Sequence, residues 1–147
     1  MTTAILAPAA VLVLWTLVML FWMAGTRFPA MKAMRGEAGK TGSVSKARVG
    51  GRGQDLEGRI PDKVNWKAHN HTHLHEQPTL FYAVTAILAI AGAATIDVWL
   101  AWAYVALRVA HSLWQALVNT IPTRLKLFFA STLVLLVLAV RALLAVV

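Results

Sequence analysis

Apolar residues fall in four long runs, separated by polar stretches of very unequal length. The runs cover residues 4–24, 78–96, 98–118 and 125–146, and the first contains no charge. Each is close to the 20 or so residues a helix needs to cross the roughly 30 Å hydrocarbon core of a bilayer. Backbone groups in lipid must find hydrogen-bond partners within their own segment, so each run is predicted to be a membrane-spanning helix. The second and third runs are joined only around residues 95–97 and form an antiparallel hairpin. The first run resembles a signal peptide in place but not in pattern. It has no basic residues before it, its basic residues follow it, and it is longer than a typical apolar h-region, so a retained helix is expected.

Composition strengthens this pattern. Of the 147 residues, 59% are hydrophobic and 14% charged, more apolar surface than a soluble domain of this length can hide. The expected fold is therefore all-α: a single domain, residues 1–147, forming a polytopic four-helix transmembrane bundle. The net charge of +8 is concentrated. Of the 14 Lys and Arg residues, only Arg108, Arg124, Lys126 and Arg141 lie outside residues 27–67. Such segregation suits one basic loop beside a membrane, with membrane lipids as the contacting partner, and argues against nucleic acid. Under the positive-inside rule the basic loop, about residues 25–61, is cytoplasmic, as is the connection before Arg124. Both termini then face the periplasm of a bacterial inner membrane. Trp22 and Trp99 fall at opposite interfaces. Cysteine is absent, which removes disulfides, thiol nucleophiles and thiolate metal sites.

Residues 36–58 mix glycine with Lys, Arg, Ser and Thr and show no apolar periodicity, the composition of a flexible or partner-ordered loop. Gly39-Lys40-Thr41 matches the tail of a phosphate-binding loop. The motif's first glycine is replaced by Met34 and no strand precedes it, so a nucleotide site is not assigned. Asp62 is the expected N-cap of a helix running to about Thr95, with Pro78 kinking or restarting it.

Polar residues inside apolar helices are costly and face a bundle interior or an aqueous cavity. In the third run Tyr104, Arg108 and His111 share one helix face, with Asn119 about two turns on. Ahead of the second run, His69, His73 and Glu76 follow an i, i+4, i+7 spacing. His71 and His75 form a second stripe, turned by roughly 160°. Two roles stay open for Arg108: a structural ion pair with Glu76, or part of a ligand site. His71, His75 and Glu76 have no completing metal-ligand signature, so no metal site is assigned.

Residues 65–81, NWKAHNHTHLHEQPTLF, and 102–128, WAYVALRVAHSLWQALVNTIPTRLKLF, resemble the MAPEG family, the membrane-associated proteins in eicosanoid and glutathione metabolism, and its bacterial branch in particular. The carrying features are Glu76 shortly before Pro78, and Arg108-x-x-His111 followed by Arg124. The resemblance implies a homotrimeric four-helix bundle that binds glutathione between subunits near the cytoplasmic side. It implies that His69, His73, Glu76, Arg108 and His111 line the glutathione site. Arg124 takes the catalytic position that stabilises the thiolate, since a neighbouring cation favours the anion and the anion is the nucleophile. The implied activity is a glutathione-dependent transferase or peroxidase acting on lipophilic electrophiles. The chain departs from the eukaryotic enzymes at four places: His69 and His73 stand for Arg and Asn, and Gln115 and Phe128 for tyrosines. The alternative function is a non-catalytic membrane subunit or scaffold of a larger membrane complex.

Overall fold

The computed structural model describes residues 2–40 and 53–147. Among them are four α-helices: α1 (Leu6–Lys40), α2 (Asp62–Ala91), α3 (Thr95–Leu117) and α4 (Ile121–Val146). A short 3-10 segment, Thr2–Ile5, leads into α1, and another, Gly53–Leu56, precedes α2. No strand occurs among the described residues, and the all-α bundle expected from the apolar runs is the fold observed.

The largest departure is in α1. The helix continues past the end of its apolar run, through Pro29, to Lys40, where a loop was expected from residue 25. Residues 30–38 are mostly Ala, Met, Lys, Arg and Glu, all strong helix formers. Extending an existing helix needs no new nucleus, so these residues propagate it without apolar periodicity. At 1.5 Å per residue the helix is roughly 50 Å long, well beyond the hydrocarbon thickness. The middle of the glycine-rich stretch, with Thr41 of the Gly39-Lys40-Thr41 tract, lies outside the described residues.

Helix α2 starts one residue earlier in its capping frame than expected. Pro61 holds the N-cap position, and Asp62 is the first helical residue, with no side-chain cap bond. Its carboxylate still opposes the positive end of the helix dipole. The helix passes Pro78 unbroken and ends at Ala91 rather than Thr95. Gly92 ends it with φ 105° and an N–H bonded to the Leu88 carbonyl at 3.0 Å. A side chain at that φ is strained, so glycine is what lets the hairpin turn so tightly.

The other turns are fixed by polar side chains. Asp97, in the first turn of α3, accepts the Ala94 N–H at 2.8 Å and also holds Arg141 of α4. Arg141 thereby ties the last turns of α4 to the first turn of α3. At the opposite end Asn119 lies in the turn after α3, not on its face. It adopts φ 56° and bonds through its N–H to the Trp114 carbonyl at 2.8 Å. Asparagine is among the few residues that tolerate this left-handed conformation.

Two described segments, Thr3–Gly36 and Ile121–Val146, are long and apolar enough to cross a membrane, each with a mean hydropathy of 2.5. Only 28% and 22% of their apolar windows are buried, so most of that surface faces outward, as lipid-facing helices do. Helices α2 and α3 are more polar and carry the interior groups. The core between the four helices includes Leu12, Met19, Leu74, Phe81, Leu88, Tyr104 and Leu138. The Phe81 and Tyr104 rings stack at 4.3 Å. On α1, the Trp22 ring lies 5.5 Å from the Lys67 ammonium of α2, a cation–π contact across the bundle.

One polar knot pins three helices at the centre. The Ser112 hydroxyl oxygen accepts from Trp15 Nε1 at 3.0 Å and from Asn70 Nδ2 at 2.6 Å. Asn70 and Ser112 are fully buried. Substituting Ser112→Ala strands both donors, at a cost of about 1–3 kcal/mol. The expected result is a thermal midpoint lower by roughly 3–10 °C in detergent; an unchanged midpoint would show that the knot contributes nothing.

Candidate functional site

The polar residues of α3 form one buried stripe. Ala101, Tyr104, Val105, Arg108, His111, Ser112, Gln115 and Ala116 are all buried. The i, i+3, i+4 spacing turns them inward while Trp99 and Trp102 stay outside. The shared face expected for Tyr104, Arg108 and His111 is therefore present.

Arg108 is 1% exposed, yet among the described residues no carboxylate lies within ion-pair distance of it. Its guanidinium donates through Nη1 to Gln77 Oε1 at 3.2 Å and through Nη2 to the His73 carbonyl at 3.0 Å. Its Nε is buried without an acceptor. The structural pairing with Glu76 is thus not the contact formed. Glu76 lies with its Oε2 2.8 Å from His73 Nδ1, and its side chain is 58% exposed. His73 and Gln77 lie one turn apart on α2, so both acceptors of Arg108 come from the same helix face.

His73 joins the same region. Its ring lies 5.9 Å from that of His111 and 6.3 Å from that of Phe128, and His111 lies 6.2 Å from Phe128. The three rings come from α2, α3 and α4. Burial pushes the His73 imidazole below the usual histidine range; Glu76 pulls the other way, and the Arg108 and Arg124 cations reinforce burial. A neutral ring at neutral pH is the consequence. Arg124, in the first turn of α4, donates through Nη1 to Asn119 Oδ1 at 2.7 Å. Asn119 thus both ends α3 and aims Arg124, a role invisible in its spacing.

His69 stands apart from this group. It is exposed and 2.9 Å from Glu57 Oε1. With Arg27, Gln54 and His71 it lines a separate cavity of about 570 Å³ between α1, α2 and the 3-10 segment before α2. Within that lining Arg27 donates to the Gly53 carbonyl. The His71 and His75 rings lie 4.5 Å apart, tilted by 53°, one turn apart on α2, the second stripe expected from spacing. Burial, with His75 beside it, lowers the His71 value. No group of three or more His, Asp or Glu suited to a metal occurs among the described residues.

Two participants escape a reading based on charge. Gln77 donates to Thr132 Oγ1 at 2.7 Å and accepts from both Arg108 and Tyr104, the latter at 3.4 Å. Asn70 anchors the central knot. Each sits beside a titratable residue that draws attention first, and each is polar at a position turned toward the bundle. That placement was the available signal.

A helical bundle with a buried Arg-x-x-His stripe and an arginine opening the last helix has the layout expected from the resemblance. A sequence model of the MAPEG family matches residues 5–144. The chain belongs to the MAPEG family. No curated protein and no solved structure matches it. This MAPEG protein is therefore a membrane protein of a family whose members include glutathione transferases and peroxidases. The match spans all four helices, so the buried stripe of α3 and the turn holding Arg124 both lie inside it.

Proposed function

We propose that this MAPEG protein is a glutathione-dependent transferase or peroxidase acting on lipophilic electrophiles that reach it from the bilayer. The carrying observation is Arg108: a guanidinium sealed inside the bundle with neutral acceptors only. A buried charge is normally paired, because taking it out of water is costly. A ligand carboxylate supplies the missing anion, and glutathione carries two. His73 and His111 beside Arg108 offer hydrogen-bonding edges, and Phe128 offers an apolar wall. The site residues of this proposal are Arg108, His73, His111 and Glu76 for binding, with His69 at the outer rim. Arg124 is the catalytic residue, placed to hold the glutathione sulfur as thiolate.

The proposed setting is a bacterial inner membrane, both termini periplasmic, with the basic end of the bundle cytoplasmic and three copies forming a homotrimer. Glutathione then enters from the aqueous side, where Arg124 opens α4, and the electrophile from the lipid side.

Binding is tested by thermal unfolding and calorimetry with millimolar glutathione. Chemistry is tested by Arg124→Leu. A cation lost from beside the sulfur raises the thiol pKa, and each unit costs about tenfold in thiolate at neutral pH. The expected result is kcat lower by about tenfold or more, little change in KM for glutathione, and loss of thiolate ultraviolet absorbance. Arg124→Lys restores part of each. An unchanged kcat removes Arg124 from the reaction.

A second reading rests on α1, whose helix projects well past its apolar run. That extension offers a docking rod for a non-catalytic subunit of a larger membrane complex. Native-gel migration after gentle solubilisation separates the two: a free trimer that binds glutathione supports the enzyme, a larger assembly without binding supports the scaffold.

A further inference from the structure

We infer that Gln77 is the residue that makes Arg108 an anion receptor, by fixing its direction without cancelling its charge. The inference rests on the reading of Arg108 as the seat of a ligand carboxylate, and assigns to that site a specificity determinant that carries no charge itself.

The argument starts at Thr132. Its hydroxyl donates to the Phe128 carbonyl at 2.7 Å, one turn back on α4. A hydroxyl has one proton, so with that proton committed the Thr132 oxygen acts toward Gln77 only as an acceptor. Gln77 lies 2.7 Å away and must present its NH2 group. An amide's two ends are chemically distinct but similar in shape, and the surrounding bonds decide which way it faces. Here Thr132 decides it. The amide oxygen is left pointing at α3, where it accepts from Arg108 Nη1 at 3.2 Å and from Tyr104 Oη at 3.4 Å. One neutral side chain on α2 thus joins α3 to α4 and sets the guanidinium plane.

The neutrality is the functional element. A carboxylate at position 77 lies within reach of the same guanidinium and pairs with it in a bidentate manner. The cation is then satisfied within the chain, and an incoming carboxylate meets a neutral pair. With glutamine there, the fork is held in place by a dipole and, among the described residues, no carboxylate pairs with it directly; Glu76 acts on it only from beyond ion-pair distance. The Arg108 Nε remains buried without an acceptor. Arg108 is consequently pre-aimed and still electrostatically open, the condition for tight binding of an anion at low reorganisation cost. The ligand class selected is a carboxylate-bearing molecule whose charged end enters between α2, α3 and α4.

The test compares wild type with Gln77→Glu and Thr132→Val, all full-length in detergent, using glutathione as the probe. Gln77→Glu should raise the thermal midpoint of the ligand-free protein, because Arg108 gains a counter-ion. It should also abolish the midpoint shift produced by millimolar glutathione, with KM raised about a hundredfold or more. Thr132→Val frees the amide to turn, so KM should rise while kcat holds, a split that simple loosening of the bundle does not produce. The inference is overturned if Gln77→Glu unfolds at the wild-type temperature or lower, fails to fold, or keeps its response to glutathione. If wild type itself shows no response to glutathione, the proposed function falls. The ligand-free midpoints then still decide Gln77: a higher value for the glutamate variant supports the receptor assignment, and an equal or lower one overturns it.

Discussion

Replacing Arg108 with methionine is expected to abolish the response to glutathione while leaving the ligand-free protein as stable as wild type, or more stable. The two halves of this result have one cause. A guanidinium 1% exposed and bonded only to the neutral acceptors of Gln77 and His73 has lost its hydration without gaining a counter-ion. Replacing buried ionic groups with apolar residues of similar size is often neutral or stabilising by about 1–4 kcal/mol. Methionine fills irregular space readily. Gln77 Oε1 keeps Tyr104 as a donor, so little is stranded. The ligand loses its anchor, and truncating one partner of a desolvated charge pair typically costs about 2–5 kcal/mol, roughly thirtyfold to several thousandfold in affinity. Calorimetry and thermal unfolding read both effects on the same samples. A large fall in ligand-free stability, with glutathione binding intact, would make Arg108 a structural residue and remove the ground for the proposed function.

The second large effect is expected at the other end of the bundle. Asp97→Ala should lower the thermal midpoint by roughly 5 °C or more without changing ligand affinity. Asp97 is buried, caps the Ala94 N–H at the start of α3 and holds Arg141 near the end of α4. Ala94 has no side-chain acceptor to return, so the cap is carried by Asp97 alone. Loss of an N-terminal capping carboxylate costs about 1 kcal/mol, and loss of the tie to Arg141 adds to it. Arg141 is the more open partner, with 38% of its side chain exposed. Arg141→Ala is accordingly expected to do less harm than Asp97→Ala, and Asp97→Asn, which keeps an acceptor for the cap, to fall between. Equal midpoints across the three variants would show that the hairpin end holds without the pair. Because this contact lies far along α4 from Arg124, glutathione affinity serves as an internal control.

The comparison of α3 with α2 shows which parts of the site were legible in the chain. On α3, every group that matters falls on one stripe of a helix whose other faces are apolar. Tyr104, Arg108, His111, Ser112 and Gln115 are buried together because lipid or core surrounds everything else, and three-residue spacing is enough to predict it. On α2 the spacing misleads. His69, His73 and Glu76 share a face on paper, but the helix leaves one neighbourhood and enters another along that face. His69 meets Glu57 and the cavity beside Arg27; His73 meets His111 and Phe128. Which neighbour a given turn meets depends on where α1 and α4 cross α2, and periodicity within α2 carries no information about that.

Charge also drew attention away from neutral hubs. Glu76 looked like the partner of Arg108 because opposite charges in apolar surroundings attract. The partner is the adjacent Gln77, one residue and about 100° further round the helix. Asn119 looked like a further member of the α3 stripe, and it instead leaves the helix in a left-handed turn and grips Arg124.

Residue order alone determined the class of protein, the number of helices, the existence of a tight hairpin between the second and third, and the inward face of α3. These follow from local physics: apolar length against bilayer thickness, backbone groups that must bond within their own segment, and a 3.6-residue repeat that separates buried from lipid-facing positions. Tertiary structure decided which side chain neutralises Asp97, and that Arg108 is held by a glutamine and a carbonyl rather than by an acid. Those outcomes depend on which turns of different helices come within about 3 Å of each other, and a hydrogen bond is lost when that distance changes by a fraction of an ångström. Spacing along one helix cannot specify a register between two.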